Sequence, residues 1–392
     1  MGRCFNLSRY RDGLLGTVFL LASGSLLLWP RECSQAVVEG LHRCGSVLIP
    51  ALFPFFILSS LVVELGFSRF LGNLLKPVMG PLFRLGGHCS GALVLGWVGG
   101  YPVGARTAIS LYQKGQCSKP EAEHLLSFCN NCGPAFALGV VGVGLFGSRS
   151  VGLLLYLTHL LSSLLVGLVF RCLLPKTSCS GPTQSPVFQP VSLPLALTRS
   201  ITGAVQSLLN LSAFVLFFSV VVRCVTLSGL PDALARLLSC FGVSQTLTVP
   251  LLTGMLEFSS GVLALSGEGA LTGRIAAAAF LMGWGGLSVH CQVLALNDCR
   301  LSMAPYLWGK LLHGLTAAAL SVLLLRTLPV SVHCFPQPDS IVLSALPIYQ
   351  ISCSGWICLL FLPFLLHRRK KAVEKTGGMV YNGEESRHHR RI

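Results

Sequence analysis

"LLSFCNNCGPAF", Leu125 to Phe136, opens a stretch of 24 residues, Leu125 to Ser148, without one charged side chain. That length suits a helix crossing ~30 Å of hydrocarbon, yet its start carries two asparagines, two cysteines and a Gly-Pro pair. Pro134 has no amide hydrogen and disfavours helical geometry at Gly133 just before it, so the pattern predicts a break or kink there. In hydrocarbon an unpaired backbone N–H or C=O costs several kcal/mol, and irregular backbone persists only where protein or a watery cavity surrounds it. Asn130 and Asn131 are the side chains able to bond the freed backbone groups, or a polar solute beside them.

Similar runs recur along the chain: Leu14–Pro30, Ser46–Val63, Cys89–Ala105, Ser150–Phe170, Ser200–Val222, Leu237–Leu256, Ile275–Asn297 and Ser340–Leu366, with Tyr306–Leu325 interrupted only by Lys310. Together they predict an all-α, polytopic helical membrane protein of about ten segments. The composition agrees, since 52% of the 392 residues are hydrophobic and 11% are charged, less than half the roughly 25% of a soluble domain. Sixteen cysteines scattered singly through apolar sequence behave as small hydrophobes rather than as a disulfide framework.

The net charge of +15 does not point to nucleic acid, because His367 to Ile392 alone carries eight Lys/Arg against three Glu. "HRRKK" after the last apolar run marks a cytoplasmic end, and Arg3, Arg9 and Arg11 put the N-terminus on the same side. The stretch with Arg69, Lys76 and Arg84 is then a cytoplasmic connection, and Ser178–Pro194 lies outside. The first run reads as an uncleaved anchor in preference to a signal peptide. The expected organisation is an N-terminal anchor and loop (1–44), a first repeat (45–175), a Ser/Pro-rich linker (176–200), a second repeat (201–328), a final membrane segment (329–366) and a basic tail (367–392).

The two repeats are visible as internal similarity. "GSVLIPALFPFFILSSLVVELG" from Gly45 resembles "GAVQSLLNLSAFVLFFSVVVRC" from Gly203, and "LVLGWVGGYPVGARTAI" from Leu93 faces "PLLTGMLEFSSGVLALS" from Pro250. "FCNNCGPAFALGVVGVG" from Phe128 faces "FLMGWGGLSVHCQVLAL" from Phe280. "YLTHLLSSLLVGLVFRCLLP" from Tyr156 faces "LWGKLLHGLTAAALSVLLLRTLP" from Leu307. In each four-segment repeat the second and third segments are interrupted by Gly, Pro and polar residues. Transporters with broken helices share this pattern, and their unwound turns meet near the bilayer midplane at the repeat interface. Four crossings per repeat would give both copies one orientation; a re-entrant segment in each would invert them.

Glu257 is the most informative single residue, since a carboxylate at the centre of a membrane helix costs on the order of 3 kcal/mol on insertion scales and is therefore functional or paired. Ser259 and Ser260 follow it and can build a broken turn. His290 and Gln292, in the matching third segment, are candidate ligands, with bundle-holding hydrogen bonds as the alternative. Tyr101 and Pro102 mark a helix break, and Arg106 is either a counter-ion for an anionic solute or for Glu257, or an interfacial snorkelling residue. Cys129 and Cys132 form a CxxC, but no second pair with zinc spacing accompanies them, so packing is favoured over thiol chemistry or a metal site. Asn130, Asn131, Gly133, Pro134, Glu257, Ser259, Ser260, His290 and Gln292 form the expected solute-binding or gating set, with no catalytic residue, metal or cofactor.

At these residues the sequence resembles the Gate (nucleoside recognition) domain membrane proteins, most closely the sporulation integral membrane protein YlbJ family. The matching words are "ALFPFFILSSLVVELGF", "GYPVGART", "KGQCSKPEAEHLLSFCNNCGPAFALGVVGVGLFG", "FSSG" after Glu257 and "GWGGLSVHCQV", over about residues 45–325. The resemblance implies a multi-pass protein of the bacterial cell membrane associated with endospore formation and the spore cortex, akin to gating parts of nucleoside transporters and to spore maturation proteins. Cys132 departs from the small residue, such as Ser, expected there in close relatives. Function must still be argued from the site. The leading reading is a small-solute permease whose partners are membrane lipid, an unidentified solute and, for gradient-driven transport, a coupling ion, with no nucleic acid. A non-transporting sporulation scaffold is the alternative, and a thiol oxidoreductase ranks well behind both.

Overall fold

In the computed structural model the described residues are 20, 23–65, 67–173, 191–240, 244–266, 269–299 and 301–327, and every regular element among them is helical. The expected final membrane segment and basic tail lie outside the described residues, as do residues 1–19, 21 and 22 of the anchor region and most of the linker.

Five stretches among the described residues are long and apolar enough to cross a membrane: Pro30–Leu61, Arg149–Leu173, Leu193–Leu227, Leu271–Ala295 and Ala304–Thr327. The first joins α1 (Pro30–Arg43) to α2 (Ile49–Glu64) through a π-turn at Cys44–Leu48. Then come α3 (Phe67–Phe83), α4 (Ser90–Gly99), α5 (Val103–Gln113) and α6 (Lys119–Cys129). A π-helical stretch, Ala135–Leu145, leads to α7 (Arg149–Leu173). The second half holds α8 (Leu193–Leu227), α9 (Leu230–Ser239), α10 (Gln245–Leu256), α11 (Phe258–Leu263), α12 (Leu271–Trp284), α13 (Gly286–Ala295) and α14 (Ala304–Thr327).

Helix α7 shows which solvent the exterior is built for. Leu153, Leu157, Leu161 and Leu165, four residues apart and therefore on one face, are exposed, whereas Thr158, His159, Ser162 and Ser163 are buried. A water-soluble helix places these classes the other way round. Lipid-facing leucines and an interior of small and polar side chains are what a membrane bundle requires, because lipid gives apolar residues no reason to hide.

The halves repeat one plan. A long helix (α2 or α8) is followed by a shorter helix (α3 or α9), a two-helix hairpin (α4–α5 or α10–α11), an interrupted helix and a long closing helix (α7 or α14). The segment carrying Lys76 and Arg84, expected as a connection, is mostly the helix α3. Two of the apolar runs, Cys89–Ala105 and Leu237–Leu256, supply hairpin arms. A straight helix would separate residues eight apart by about 12 Å, yet a Cβ added at Gly96 would stand 3.3 Å from the Cα of Gly104. The chain therefore doubles back at Gly100–Pro102. Gly254 and Gly261 make the same close crossing in the second hairpin. The closing helices pack on each other and on the interrupted helices, which brings all four interruptions into one region.

Candidate functional site

Each interruption has a local cause. Gly100 adopts φ 75°, in the left-handed region, ahead of a cis Tyr101–Pro102 peptide. Helix α6 stops at Cys129, and Asn130 is extended at φ −92°, ψ 100° before Gly133 and Pro134. Glu257 is extended between α10 and α11, and its carboxylate caps α11 by accepting from the amides of Ser259 and Ser260 at 3.1 and 2.7 Å and from Ser259 Oγ at 2.8 Å. A negative side chain at a helix N-terminus also meets the positive end of the helix dipole. Gly285 and Gly286 (φ 84° and 71°) let the chain change direction between α12 and α13.

Within each half the hairpin tip touches the interrupted helix. A Cβ on Gly133 would lie 3.2 Å from the Cα of Gly100, and one on Gly286 would lie 2.8 Å from the amide of Phe258. Between halves the contact is polar. Tyr101 Oη donates to the carbonyl of Met282 and accepts from Lys310 Nζ at 2.8 Å. Lys310 Nζ also donates to the carbonyl of Asn130 at 3.0 Å and lies 4.7 Å from the centre of the Tyr101 ring. Asn130 Nδ2 donates to Tyr306 Oη at 3.4 Å, and that oxygen is 3.1 Å from His290 Nδ1. The Trp284 ring stands edge-on to His290 at 4.3 Å, and its indole N–H donates to the carbonyl of Met255.

A second cluster joins the two closing helices. The amide of Cys132 donates to His159 Nε2 at 2.9 Å, so that nitrogen carries a lone pair and the neutral ring holds its hydrogen on Nδ1. His313 Nε2 donates to the carbonyl of His159 at 3.0 Å, and the two rings lie 4.2 Å apart.

A cavity of about 40 Å³ opens beside these interruptions, bounded by Tyr101 and Cys132 from the first repeat and by Phe258, Ser259 and Gln292 from the second. At ~10–15 Å³ per water it has room for about three or four. Asn130 Oδ1, Ser260 Oγ and His290 Nε2 are buried without a hydrogen-bond partner among the described residues. A group in that position retains its full desolvation penalty.

The structure thus gathers most of the expected site residues. Asn130, Asn131, Gly133, Pro134, Tyr101, Pro102, Glu257, Ser259, Ser260 and His290 sit at or beside the interruptions, and Gln292 faces the cavity. Asn131 caps its own helix, with Nδ2 donating to the carbonyl of Phe128 at 3.0 Å. One candidate role is not formed: Arg106 is exposed on α5, the arrangement of the snorkelling alternative, and is not brought to Glu257 as a counter-ion. Glu257, expected to be functional or paired, is held by backbone amides and a serine of its own segment.

Lys310, Tyr306, His159, His313 and Trp284 were not singled out by the sequence reading. Lys310 did leave a signal, as the lone charge in an otherwise uncharged run. Cys129 and Cys132 are fully buried and packed. His88, Cys89 and Glu121 place potential ligand atoms within 4.8 Å of one another. The Glu121 carboxylate there is already committed, accepting from Ser118 N and Oγ and from Gly86 N, so the trio reads as a helix cap.

The Gate family, described as nucleoside recognition, matches residues 46–149. The sporulation integral membrane protein YlbJ of Bacillus subtilis (strain 168) is 33% identical over 351 residues, covering 84% of this chain and 86% of that protein. This chain belongs to the YlbJ family of integral membrane proteins. An uncharacterized protein of Alkalihalophilus pseudofirmus is 31% identical over 145 residues, covering 35% of this chain and 31% of that one. Among solved structures, CNTnw in an inward-facing substrate-bound state aligns with a TM-score of 0.48 at 14% identity, covering 82% of this chain and 85% of that one. The Gate match takes in the first hairpin tip and Asn130–Pro134. A YlbJ match over 84% of the chain necessarily includes parts of both repeats.

Proposed function

We propose that this chain serves bacterial endospore formation, in building the spore cortex, as a small-solute permease or gate of the cell membrane. Membership in a family represented by a sporulation integral membrane protein supports the setting. One observation carries the transport reading. Interruptions from both repeats converge on a small, largely apolar cavity that Tyr101, Ser259 and Gln292 also line, and at the same interruptions Asn130, Ser260 and His290 keep buried polar atoms without a hydrogen-bond partner among the described residues.

With the second run of each repeat doubled back as a hairpin, three elements per repeat remain to pass through the bilayer, and an odd number inverts one repeat relative to the other. Rocking one repeat against the other would then expose the site alternately to each side. Tyr101 and Lys310, one from each repeat, are bonded to each other at the boundary between the repeats. No phosphate-binding loop of Walker A type occurs in the sequence, so a gradient supplies the energy. One anchor crossing, three per repeat and one final crossing make eight in place of ten, which keeps both termini in the cytoplasm and moves the linker, expected outside, to that same side.

A sporulation scaffold is the second reading, and one observation favours it: the Glu257 carboxylate and one amide N–H of Asn131 are each spent on their own segment. Glu257→Gln and Asn131→Ala separate the two. Loss of cortex at unchanged membrane abundance supports a working site, whereas loss of the protein itself supports a scaffold. A thermal-shift screen against nucleosides, peptidoglycan precursors and dicarboxylates addresses the solute, because a ligand that binds the folded state raises its stability by mass action.

A further inference from the structure

The last turn of a helix leaves carbonyls without intrahelical partners, at the negative end of the helix dipole. At a broken membrane helix such carbonyls characteristically hold a coupling cation. At the end of α6 the carbonyls of Ser127, Phe128, Cys129 and Asn130 are each covered or bonded by another part of the protein. That of Ser127 is pressed against Gly309, where a Cβ would collide with it, and that of Phe128 accepts from Asn131 Nδ2. The carbonyl of Cys129 is clasped between Gly96 and Gly104, both of which would clash with it if they carried a Cβ. The carbonyl of Asn130 accepts from Lys310 Nζ, whose second bond is to the hairpin-tip hydroxyl of Tyr101.

Lys310 is 1% exposed, and no ion pair to it is found among the described residues. Its charge is met instead by one carbonyl, one hydroxyl and the face of one ring. Those are ligands of the kind a small alkali cation takes, hard oxygens at a helix C-terminus. The ammonium reaches them from α14, in the other repeat.

We infer that Lys310 is a tethered cation: its ammonium fills the monovalent-cation site made by the end of α6 and the tip of the first hairpin, so that no free sodium or lithium ion binds there. Removing the side chain restores that site to a mobile alkali cation. The occupancy is a property of the folded protein, with or without a transported solute.

The test uses the purified full-length chain in detergent, with sodium, lithium or potassium chloride exchanged for choline chloride at constant ionic strength. The unfolding midpoint of the wild type should not respond to the exchange. Lys310→Ala and Lys310→Met should gain a saturable rise of several degrees with sodium or lithium, and Lys310→Arg should behave as the wild type. A saturable sodium response in the wild type, or folded Lys310→Ala and Lys310→Met proteins that ignore every alkali cation, would overturn the inference. Amine labelling of the wild type, read by mass spectrometry at Lys310, supplies a measurement that needs no variant. Lys310 should stay unlabelled whichever cation is present, whereas labelling that sodium accelerates would mean a mobile ion competes for the site.

Discussion

Lys310 and Asn130, 180 residues apart in the chain, are joined by a 3.0 Å hydrogen bond from a buried ammonium to a carbonyl at a helix break. The bond ties the closing helix of the second repeat to the interrupted helix of the first. Tyr101 completes it from the first hairpin tip. A helix break, a hairpin tip and a charge, each unfavourable alone in lipid, satisfy one another here.

Tyr101→Phe keeps the ring against Phe258 but removes the hydroxyl that serves both Met282 and Lys310. Leaving a buried donor and a buried acceptor unpaired costs about 1–3 kcal/mol. The expected result is a lower unfolding midpoint with unchanged helical circular dichroism.

Gly96→Ala and Gly104→Ala each drive a methyl group into the carbonyl of Cys129, a backbone atom that cannot step aside. Both should sharply reduce the folded protein recovered from membranes. Gly91→Ala, in the same helix as Gly96 but with nothing within 4 Å of the new methyl, should express normally. Equal recovery of all three would refute the hairpin crossing.

Glu257→Ala removes the cap of α11, a loss of about 0.5–2 kcal/mol for an N-cap residue. Glu257→Gln keeps one acceptor oxygen for those amides and should destabilise less. Chemical denaturation of the two variants checks the order.

Cys33 and Cys224 bring their sulfurs to 3.8 Å although 191 positions separate them. Mild oxidation should link α1 to α8 through this pair, detected as one cross-linked peptide that Cys224→Ser abolishes. Absence of that peptide under conditions that oxidise exposed thiols would contradict the packing of α1 on α8.

Cys129→Ser with Cys132→Ser should leave sporulation intact. Position 132 contacts His159 through its amide rather than its sulfur, and a hydroxyl fits where the thiol packs. A cortex defect at normal abundance would revive thiol chemistry.

The helical membrane class, the duplication and the location of the interruptions were all legible in the sequence. Each depends on properties read within one segment: uncharged length, glycine and proline placement, and repetition of a pattern. Asn130-Asn131, Gly133-Pro134 and Tyr101-Pro102 announced their breaks because no helix tolerates those residues unaided. Glu257 announced its own because a carboxylate needs partners away from water.

What the partners would be was decided only in three dimensions. Sequence reading left Glu257 either functional or paired, with Arg106 as one candidate counter-ion, and the structure shows amides two and three residues along the chain holding it. Arg106 sits one turn past the first hairpin tip, but the helix turns it outward. Lys310 looked like a lone interruption in a crossing helix until folding set it against Asn130 and Tyr101, 180 and 209 positions away. His159 and His313, 154 apart, became a stacked pair by the same packing. Hydropathy and backbone propensity are local, so one sequence window contains them. A buried hydrogen bond between repeats depends on where two helices cross, and that is fixed by the glycines and small side chains of the whole bundle together.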